Sequence, residues 1–426
     1  MTLATGTLSG ATALLSGRPP PRRVLIIVEN LPVPLDRRVW QEAAALKEAG
    51  YTVSVICPQT ASCPSSYEEL DGIHIYRHPL PVEGSGAFSY LGEYALALFW
   101  EFILSFRVLR EQGFDAIHAC NPPDLIFLVA GFHKLFLGKR FLFDHHDINP
   151  ELYEAKFGRR GLFHNLLGLL ERWTFKTADV SLATNHVFRD IAVKRGGMDP
   201  EKVWIVRSFP DLTRFRRVPP DPALKNGRRH LVGYVGVMAK QDGVDTLVHA
   251  MDHIVRVRKR NDVGCLIIGD GPELEALKSL NRALNLDGHV RFPGFLSGAE
   301  LMRHLSTIDV GAIPDPWSLY NDKISMNKVF EYMSLGIPFV QFDLSVSRET
   351  AGGAALNVSG SSAADFGDAI LELVDAPERR EAMAACGRKR AHESCNWETE
   401  KHNLIAAYDE LFRPRPREAE TVWRRG

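Results

Sequence analysis

The chain has 426 residues, a formal net charge of -1, 45% hydrophobic residues and 24% charged residues. This length exceeds that of one typical core, so we expect two domains. The composition is typical of a globular protein, and the near-neutral charge gives no reason to expect a nucleic-acid partner. The six cysteines are scattered, without a CxxC pair or interleaved histidines. This pattern favours a reduced, cytoplasmic setting over a disulfide framework or a zinc site.

The ends of the chain are expected to lie outside the folded domains. Residues 1–21 are small and polar and end in prolines. We interpret them as a disordered tail, because the basic and apolar regions of a signal peptide are missing. The residues after 412 are expected to be frayed. The most apolar internal stretch, 90–109, contains three charged residues, which favours a buried helix over a membrane span. A membrane-contacting helix is the alternative, since aromatic residues of this stretch suit an interface.

The first half of the chain begins as a parallel βαβ unit. The apolar run at 24–28 predicts a buried strand, Asp36 predicts the cap of an amphipathic helix, and 52–58 predicts a second strand. Prolines stand where a dinucleotide-binding GxGxxG turn would be found. Further strands are predicted at IHIYRH, DAIHAC, FLFDHHD and DVSLATN.

Polar residues follow several of these predicted strands. Ligands of open α/β sheets bind at the carboxyl ends of the strands, so these residues should line one crevice. Asp36, Arg37 and Arg38 are expected at the same crevice, although they could also form only a cap and a solvated turn. The residues that follow strands are Asn121, Asp124, His145, His146, Asp147, Thr184 and Asn185.

Simpler interpretations of the same residues remain open. Asn121 and Asp124 could form an Asx-type turn. His145, His146 and Asp147 could form a structural hydrogen-bond cluster or a metal pair, but a His-His-Asp run without a further spaced ligand is poor evidence for a metal. We therefore expect no metal site.

The strand–helix pattern restarts after a hinge at 208–219 and a Pro-rich linker. Strands are predicted at LVGYVG, CLIIGDG, HVRFPG, DVGAIP and PFVQFD, and a final amphipathic helix at 397–412. Glycines end the first three of these strands, and glycine lets the backbone approach a ligand closely. They are Gly236, Gly269, Gly271 and Gly294, the last followed by Phe295.

The segment 321–338, NDKISMNKVFEYMSLGIP, reads as a loop, a helix and a turn. Ser325 predicts the N-cap and Gly336 the helix end. Lys328 and Glu331 are three residues apart and share a face. Free N–H groups, a lysine and a carboxylate suit a nucleoside diphosphate, whose ribose diol would bind Glu331. The alternative is an ordinary surface helix with an ion pair.

The order and spacing of these motifs resemble the retaining, GT-B-fold glycosyltransferases of family 4, in a bacterial surface-polysaccharide branch. The motifs are YVG, IIGDGPEL, VRFPGF and FEYMSLGIP in the second half, and NLPVPLDRRVWQEA, HACNPPD, FDHHDINPELY and ATN in the first. The resemblance covers about residues 23–412. It implies an α/β protein with two Rossmann-like domains facing across a cleft, at 22–208 and 209–395, and a helix that crosses back within 396–426.

The resemblance also implies roles for individual residues. Glu331 matches the carboxylate that holds the donor ribose, and His146, or its neighbour His145, matches a histidine near the donor sugar. Gly294 and Phe295 match the contact to the base, and Gly236 the backbone contact to the diphosphate. The acceptor-side residues would be Asp36, Arg37, Arg38, Asn121, Asp124, His145 and Asp147.

The sequence departs from the family pattern at several positions. Lys323 stands where the family has its first glutamate, with Asp322 one position away. Val237 and Asp242 replace two usual basic residues. We therefore expect Asp322 to reach the sugar hydroxyls, and Lys240, Lys328 and the Ser325 end of the helix to meet the phosphates.

The function implied is sugar transfer from a nucleotide-sugar substrate, without a cofactor, to a glycan or lipid-linked acceptor for surface polysaccharide. We expect a cytoplasmic protein, with peripheral contact at the inner face of the membrane. No protein nucleophile is required, since the departing phosphate can assist deprotonation of the acceptor. The alternatives are a nucleotide-sugar 2-epimerase, which needs carboxylate acid–base pairs around the sugar, and a non-catalytic nucleotide-sugar-binding scaffold.

Overall fold

The computed structural model describes residues 21–79, 87–213 and 215–414. The tails predicted at 1–21 and after 412 lie outside the described residues, except for Pro21, Arg413 and Pro414. The described chain forms two sheets of eight and six strands, each made by one half of the chain. This two-sheet α/β architecture confirms the predicted fold class.

The first sheet has the strand order β3-β4-β2-β1-β5-β6-β7-β8. Its strands are parallel except β3, which pairs antiparallel with β4. The exposed β3 lacks the apolar pattern of the other strands, so no strand is predicted there. The strands are β1 (Arg23–Ile27), β2 (Thr52–Gln59), β3 (Tyr67–Leu70), β4 (Ile73–Pro79), β5 (Ala116–Cys120), β6 (Arg140–His145), β7 (Val180–Ala183) and β8 (Val203–Ile205).

Helices cover both faces of this sheet. The sheet's two faces are packed with separate apolar clusters, as expected for a mostly parallel sheet. The prediction that Asp36 caps the first helix is confirmed, because its Oδ1 accepts a hydrogen bond from the N–H of Val39 at 3.0 Å. The helices are α1 (Arg37–Glu48), α2 (Ala87–Glu111), α3 (Phe127–Leu137), α4 (Asn149–Phe157), α5 (Leu162–Thr177) and α6 (His186–Lys194).

The second sheet is parallel, with the order β11-β10-β9-β12-β13-β14. Its strands are β9 (His230–Val235), β10 (Val263–Ile268), β11 (Val290–Gly294), β12 (Val310–Ile313), β13 (Phe339–Phe342) and β14 (Ala355–Val358). The sequence did not predict β14. The helices of this half are α7 (Val244–Asp252), α8 (Leu274–Ala283), α9 (Gly298–Thr307), α10 (Asn327–Leu335), α11 (Ser345–Ala351), α12 (Ala363–Val374) and α13 (Pro377–Glu393).

The segment between β8 and β9 connects the two sheets, and the boundary predicted at 208/209 falls within it. Phe209 already packs with the second half, edge-to-face against Phe330 with ring centroids 4.6 Å apart. Short 3-10 turns lie at Asp124–Ile126, Pro200–Lys202, Pro222–Lys225, Lys240–Asp242 and Gly352–Ala354, and a π-helical turn lies at His253–Val257.

The last helix, α14 (Trp397–Leu411), returns to the first half of the chain. The hydroxyl of Tyr408 lies 2.9 Å from Nδ1 of His118 on β5, and both side chains are fully buried. Glu400 pairs with Arg207 at 3.0 Å. Trp397 and Leu404 belong to the same apolar cluster as the first strands. The helix therefore holds the end of the chain on the N-terminal domain.

Candidate active site between the two domains

The glycine turns of the second sheet meet at its carboxyl edge, because β9, β10 and β11 are neighbours. Gly236, Gly269 and Gly271 have φ angles of 153°, 138° and 153°, which side-chain-bearing residues rarely adopt. A Cβ on Gly271 would lie 2.5 Å from the carbonyl oxygen of Met238. Backbone therefore packs directly on backbone here. Gly294 ends β11 beside them, and Phe295 is exposed.

Helix α10 begins next to these turns and ends at Gly336 as predicted, with φ of 61°. The prediction that Ser325 is its N-cap is wrong. Met326 occupies the N-cap position and provides no side-chain hydrogen bond. The Ser325 hydroxyl instead accepts a hydrogen bond from Asn185 Nδ2 at 3.0 Å. Because Asn185 follows β7 of the first domain, Ser325 joins the two domains rather than satisfying the helix.

Several side-chain contacts cross the cleft in the same way. The Tyr320 hydroxyl donates to the carboxylate of Asp147 at 2.9 Å, and the Lys323 ammonium lies 2.9 Å from Glu151. These contacts place segment 320–331 against the strand ends of the first domain. The strand-end residues Asp147 and Asn185 thus lie at the cleft, as their positions in the sequence predict.

Glu331 faces the first domain from α10. Its Oε1 lies 2.7 Å from Nη1 of Arg37, and the two side chains are 12% and 34% exposed. Arg37 is the first residue of α1 and follows the cap Asp36. Sequence reasoning had placed both residues at the crevice without connecting them, because 294 positions separate them.

Lys328 points under the glycine turns instead of sharing an open surface with Glu331. Its Nζ lies 2.7 Å from Asp315 and 3.8 Å from Asp242, and it lies over the ring of Tyr234. Burial raises the pKa of Asp315 to about 6, although Lys328 opposes this shift. Asp315 was missed as a site residue. Its position just after β12, at the carboxyl edge of the sheet, is the feature of the sequence from which it could have been predicted.

The other residues expected at the donor have separate environments. Asp322 accepts a hydrogen bond from the backbone N–H of Ser345 at 2.7 Å, so one of its oxygens is already engaged. The exposed Lys240 forms no hydrogen bond or salt bridge with any residue of the described chain. The contacts proposed for Asp322 and Lys240 with a donor stay predictions.

His146 stands at the end of β6 above a buried charged cluster. Its Nε2 lies 2.5 Å from Asp144 Oδ2, and Arg38 contacts both residues at 2.9 Å. Burial alone would raise the pKa of Asp144, but Arg38 and His146 hold it well below its usual range. The ring of His146 is therefore fixed by a permanent carboxylate, while 13% of the side chain stays exposed.

Arg38 does not reach the cleft surface. Its guanidinium forms ion pairs with Asp144 at 2.7 Å and Glu42 at 3.1 Å, and donates to the carbonyl of Val206 at 2.8 Å. The side chain is 7% exposed. The expectation that Arg38 contacts the acceptor is wrong, because its guanidinium is buried and forms ion pairs within the cluster that holds His146.

His145 is also misassigned to the acceptor side. It is completely buried, between Phe175 and Phe188, with ring centroids 5.0 and 4.9 Å away. His145 is the last residue of β6, whereas His146 follows the strand. Of the two side chains, only that of His146 has an exposed part.

Asn121 and Asp124 build the loop beneath His146. The Asn121 side-chain oxygen accepts from the backbone N–H groups of His146 at 2.7 Å and Asp147 at 3.2 Å, and its nitrogen donates to Asp124 at 2.9 Å. Both side chains are almost fully buried. The Asx-type turn suggested for this pair does not form, because the Asn121 oxygen accepts from the loop after β6 and not from its own turn. Burial raises the pKa of Asp124 to about 7.

Among the described residues, His118, Cys120 and Asp144 form a group of side chains close enough together to hold a metal ion. Their possible ligand atoms lie within 4.8 Å of one another. This set does not fit a cation well. The guanidinium of Arg38 already binds Asp144, and burial raises the pKa of the Cys120 thiol well above its usual range, which disfavours the thiolate. The group is best described as part of the support under His146.

Known proteins resemble this chain in both sequence and fold. A sequence model described as Glycosyltransferase Family 4 matches residues 35–214, and one described as Glycosyl transferases group 1 matches residues 229–376. The GDP-mannose-dependent alpha-(1-6)-phosphatidylinositol monomannoside mannosyltransferase of Mycobacterium tuberculosis is 32% identical over 202 residues, which are 44% of this chain and 51% of that protein. This chain thus spans about half the length of that relative.

A second relative and a solved structure match over a longer stretch. The alpha-D-kanosaminyltransferase of Streptomyces kanamyceticus is 25% identical over 348 residues, or 78% of this chain and 85% of that protein. The sucrose-phosphate synthase of Thermosynechococcus elongatus has a TM-score of 0.75 at 19% identity, covering 92% of this chain and 99% of that one. With matching sequence models on both domains in this order, the chain belongs to glycosyltransferase family 4 and has the GT-B fold.

Proposed function

We propose that this protein transfers a sugar, with retention of configuration, from a nucleotide-sugar to a lipid-linked or glycan acceptor of surface polysaccharide. The observation that carries the proposal is the junction of the glycine turns with the amino end of α10, next to Glu331 at the cleft. The free backbone N–H groups at the start of α10 suit a diphosphate, and the Glu331 carboxylate, once released from Arg37, suits a ribose diol.

The same geometry suggests how the protein would speed cleavage of the bond between the donor sugar and the diphosphate. The leaving nucleoside diphosphate gains negative charge as the glycosidic bond breaks. Free N–H groups at the start of α10 would stabilise that charge in the transition state, whereas the N–H of Gly236 already donates to the carbonyl oxygen of Ile268 at 3.0 Å. The Lys328 ammonium adds positive charge behind the turns, although Asp315 partly neutralises it. His146 would contact the donor sugar from the other side of the cleft, held by Asp144.

The acceptor side is supported by the first domain and by a relative. The M. tuberculosis relative is named for a phosphatidylinositol monomannoside, a lipid-linked glycan. Arg37 and Asp147 lie at the cleft and can contact an incoming hydroxyl-bearing group. Retention requires that the acceptor approach the same face of the donor sugar that the diphosphate leaves.

Contact with a membrane surface is part of the proposal. Within the described ranges, none of the helices is both long enough and apolar enough to span a bilayer. However, α2, α3 and α5 expose large apolar side chains, which monomeric globular proteins seldom cluster. They include Phe99, Leu135, Phe136, Leu162, Leu169 and Trp173. We propose that these helices meet the inner face of the membrane as a peripheral contact.

A screen of nucleotide-sugars tests the proposal. The protein would be incubated with UDP-, GDP-, ADP- and dTDP-sugars with and without lipid extract, and free nucleoside diphosphate would be measured. We expect release from one donor, stimulated by extract, and loss of release in Glu331→Ala but not in Glu275→Ala, an exposed glutamate of α8. Epimerised donor without free diphosphate would instead identify an epimerase. A donor that binds but is never consumed would identify a scaffold.

A further inference from the structure

A mostly apolar cavity of about 330 Å³ lies between the two domains, beside the proposed donor site. Its walls come from α4 and α5 and from the loop after β5 on one side. On the other side they come from Ala239–Gln241 and Pro272–Glu273, the residues that follow the glycine turns. We call this space the interdomain cavity. Its volume is at the low end of the range of roughly 300–1,000 Å³ for small-molecule sites.

The apolar lining of the interdomain cavity opens onto an apolar surface. Phe163, Leu167 and Leu170 of α5 line it together with Leu152 of α4. Leu166 lines the cavity and is also 44% exposed. It therefore connects the interior to the exposed apolar stripe of α5, which includes Leu162 and Trp173. A long hydrocarbon chain could follow this path without leaving apolar surroundings.

Cations stand at the same cavity. Lys156 and Lys240 both line it and are both exposed. Neither ammonium forms a hydrogen bond or a salt bridge to any residue in the part of the chain that the structure describes. Lys156 belongs to the first domain, and Lys240 follows the Gly236 turn of the second. Glu273 is the acidic residue on the C-terminal side.

We propose that the interdomain cavity binds the hydrocarbon chain of a single-chain lipid phosphate or diphosphate, with its phosphate at Lys156. This rests on the proposed function, since such a lipid would carry the acceptor group. The apolar walls fit the chain, and the neighbouring glycine turns put the lipid head beside the donor. The Lys156 ammonium fits the phosphate, because its attraction to Asp242 involves no salt bridge. A water-soluble glycan acceptor would leave the apolar walls unused.

Calorimetric titration with dodecyl phosphate, below its micelle concentration, tests the inference. Butyl phosphate and inorganic phosphate are the probes for charge without a long chain. We expect dodecyl phosphate to bind about tenfold or more tightly than butyl phosphate, because the longer chain buries more apolar surface. Leu166→Asp should remove most of this difference. Lys156→Ala should weaken the binding of both alkyl phosphates and leave the ratio of their affinities unchanged.

Matched controls separate the interdomain cavity from the outer surface. Leu162→Asp changes a 91% exposed residue of the same helix that does not line the cavity, and Lys176→Ala removes another exposed cation of α5. Both should bind dodecyl phosphate like the unmodified protein. Equal losses in Leu162→Asp and Leu166→Asp would mean adsorption to the surface and would overturn the inference. So would equal affinity for dodecyl and butyl phosphate.

Failure of this inference and failure of the proposed function are distinguishable. The titration needs neither donor nor turnover, so lipid binding without release of any nucleoside diphosphate would remove only the transferase proposal. Diphosphate release without chain-dependent binding of dodecyl phosphate would remove only the lipid site. If Leu166→Asp does not fold, Lys156→Ala against Lys176→Ala still decides whether the phosphate lies at the cavity.

Discussion

Nη1 of Arg37 lies 2.7 Å from Oε1 of Glu331, although the two residues belong to different domains. In family 4 the residue matching Glu331 is expected to hold the donor ribose. The Arg37 guanidinium therefore occupies the carboxylate that the donor would need. Opening this pair would free Glu331, and donor binding would replace one charged hydrogen bond with another.

This relationship predicts different effects for the two partners. An ion pair with one partner a third exposed contributes roughly 0–1 kcal/mol, so Arg37→Ala should change donor affinity by less than about fivefold. Glu331→Ala removes the ribose ligand and should weaken donor binding by about 10- to 100-fold. Nucleotide titrations of both variants measure this. Equal losses would indicate that Glu331 acts only as the partner of Arg37.

His145, the last residue of β6, and His146, which follows it, give a matched pair of substitutions. His146→Ala should lower turnover by roughly 10- to 100-fold with little change in melting temperature, because it removes one positioned hydrogen-bonding group. His145→Ala should cost roughly 2–4 kcal/mol of stability, because it leaves a cavity between Phe175 and Phe188. Turnover per folded molecule should be preserved in His145→Ala. If His145→Ala lowered turnover and His146→Ala lowered only stability, the assignment of His146 to the cleft would be wrong.

Lys328 should matter both for stability and for turnover. Lys328→Ala leaves the buried Asp315 carboxylate without its partner, which should cost roughly 3–5 kcal/mol, measured by denaturant unfolding. The double variant Lys328→Met with Asp315→Asn removes both charges and should recover most of that stability. It should still turn over slowly, because the positive charge near the diphosphate is gone. Full turnover in the double variant would show that the pair is only structural.

Glu101 of α2 predicts a pH dependence of stability. It is buried, no described residue hydrogen-bonds its carboxylate, and burial raises its pKa to about 8. Between the ordinary pKa of 4.5 and about 8 the folded protein binds more protons than the unfolded chain, so stability falls as the pH rises.

Glu101→Gln keeps the shape and removes the titration. It should stabilise the protein at pH 8.5 by on the order of a few kcal/mol, and this gain should shrink towards pH 5. Thermal unfolding of both proteins across this range is the measurement, and Glu381→Gln, at an exposed glutamate of α13, is the control. A gain independent of pH would mean that burial does not raise the pKa of Glu101.

Much of the fold follows from the sequence because buried parallel strands read as continuous apolar runs. The glycine turns could also be predicted to meet, since each follows a strand of the same sheet. The burial of the His145 side chain could not be predicted, because it depends on where β6 ends. The environment of Lys328 could not be predicted either, because Asp315 and Asp242 reach it from separate loops. Ser325 is a residue type that favours the N-cap, but its hydroxyl hydrogen-bonds to Asn185 of the other domain, and the sequence does not show this contact.

The most direct test asks whether Glu331 holds the ribose diol. The nucleoside diphosphate that binds in the donor screen, and its 2′,3′-dideoxy analogue, would be titrated against the unmodified protein and Glu331→Ala. We predict that Glu331→Ala binds the natural diphosphate about 10- to 100-fold more weakly, and that the analogue binds both proteins equally. Equal weakening of both ligands, or of neither, would contradict the account.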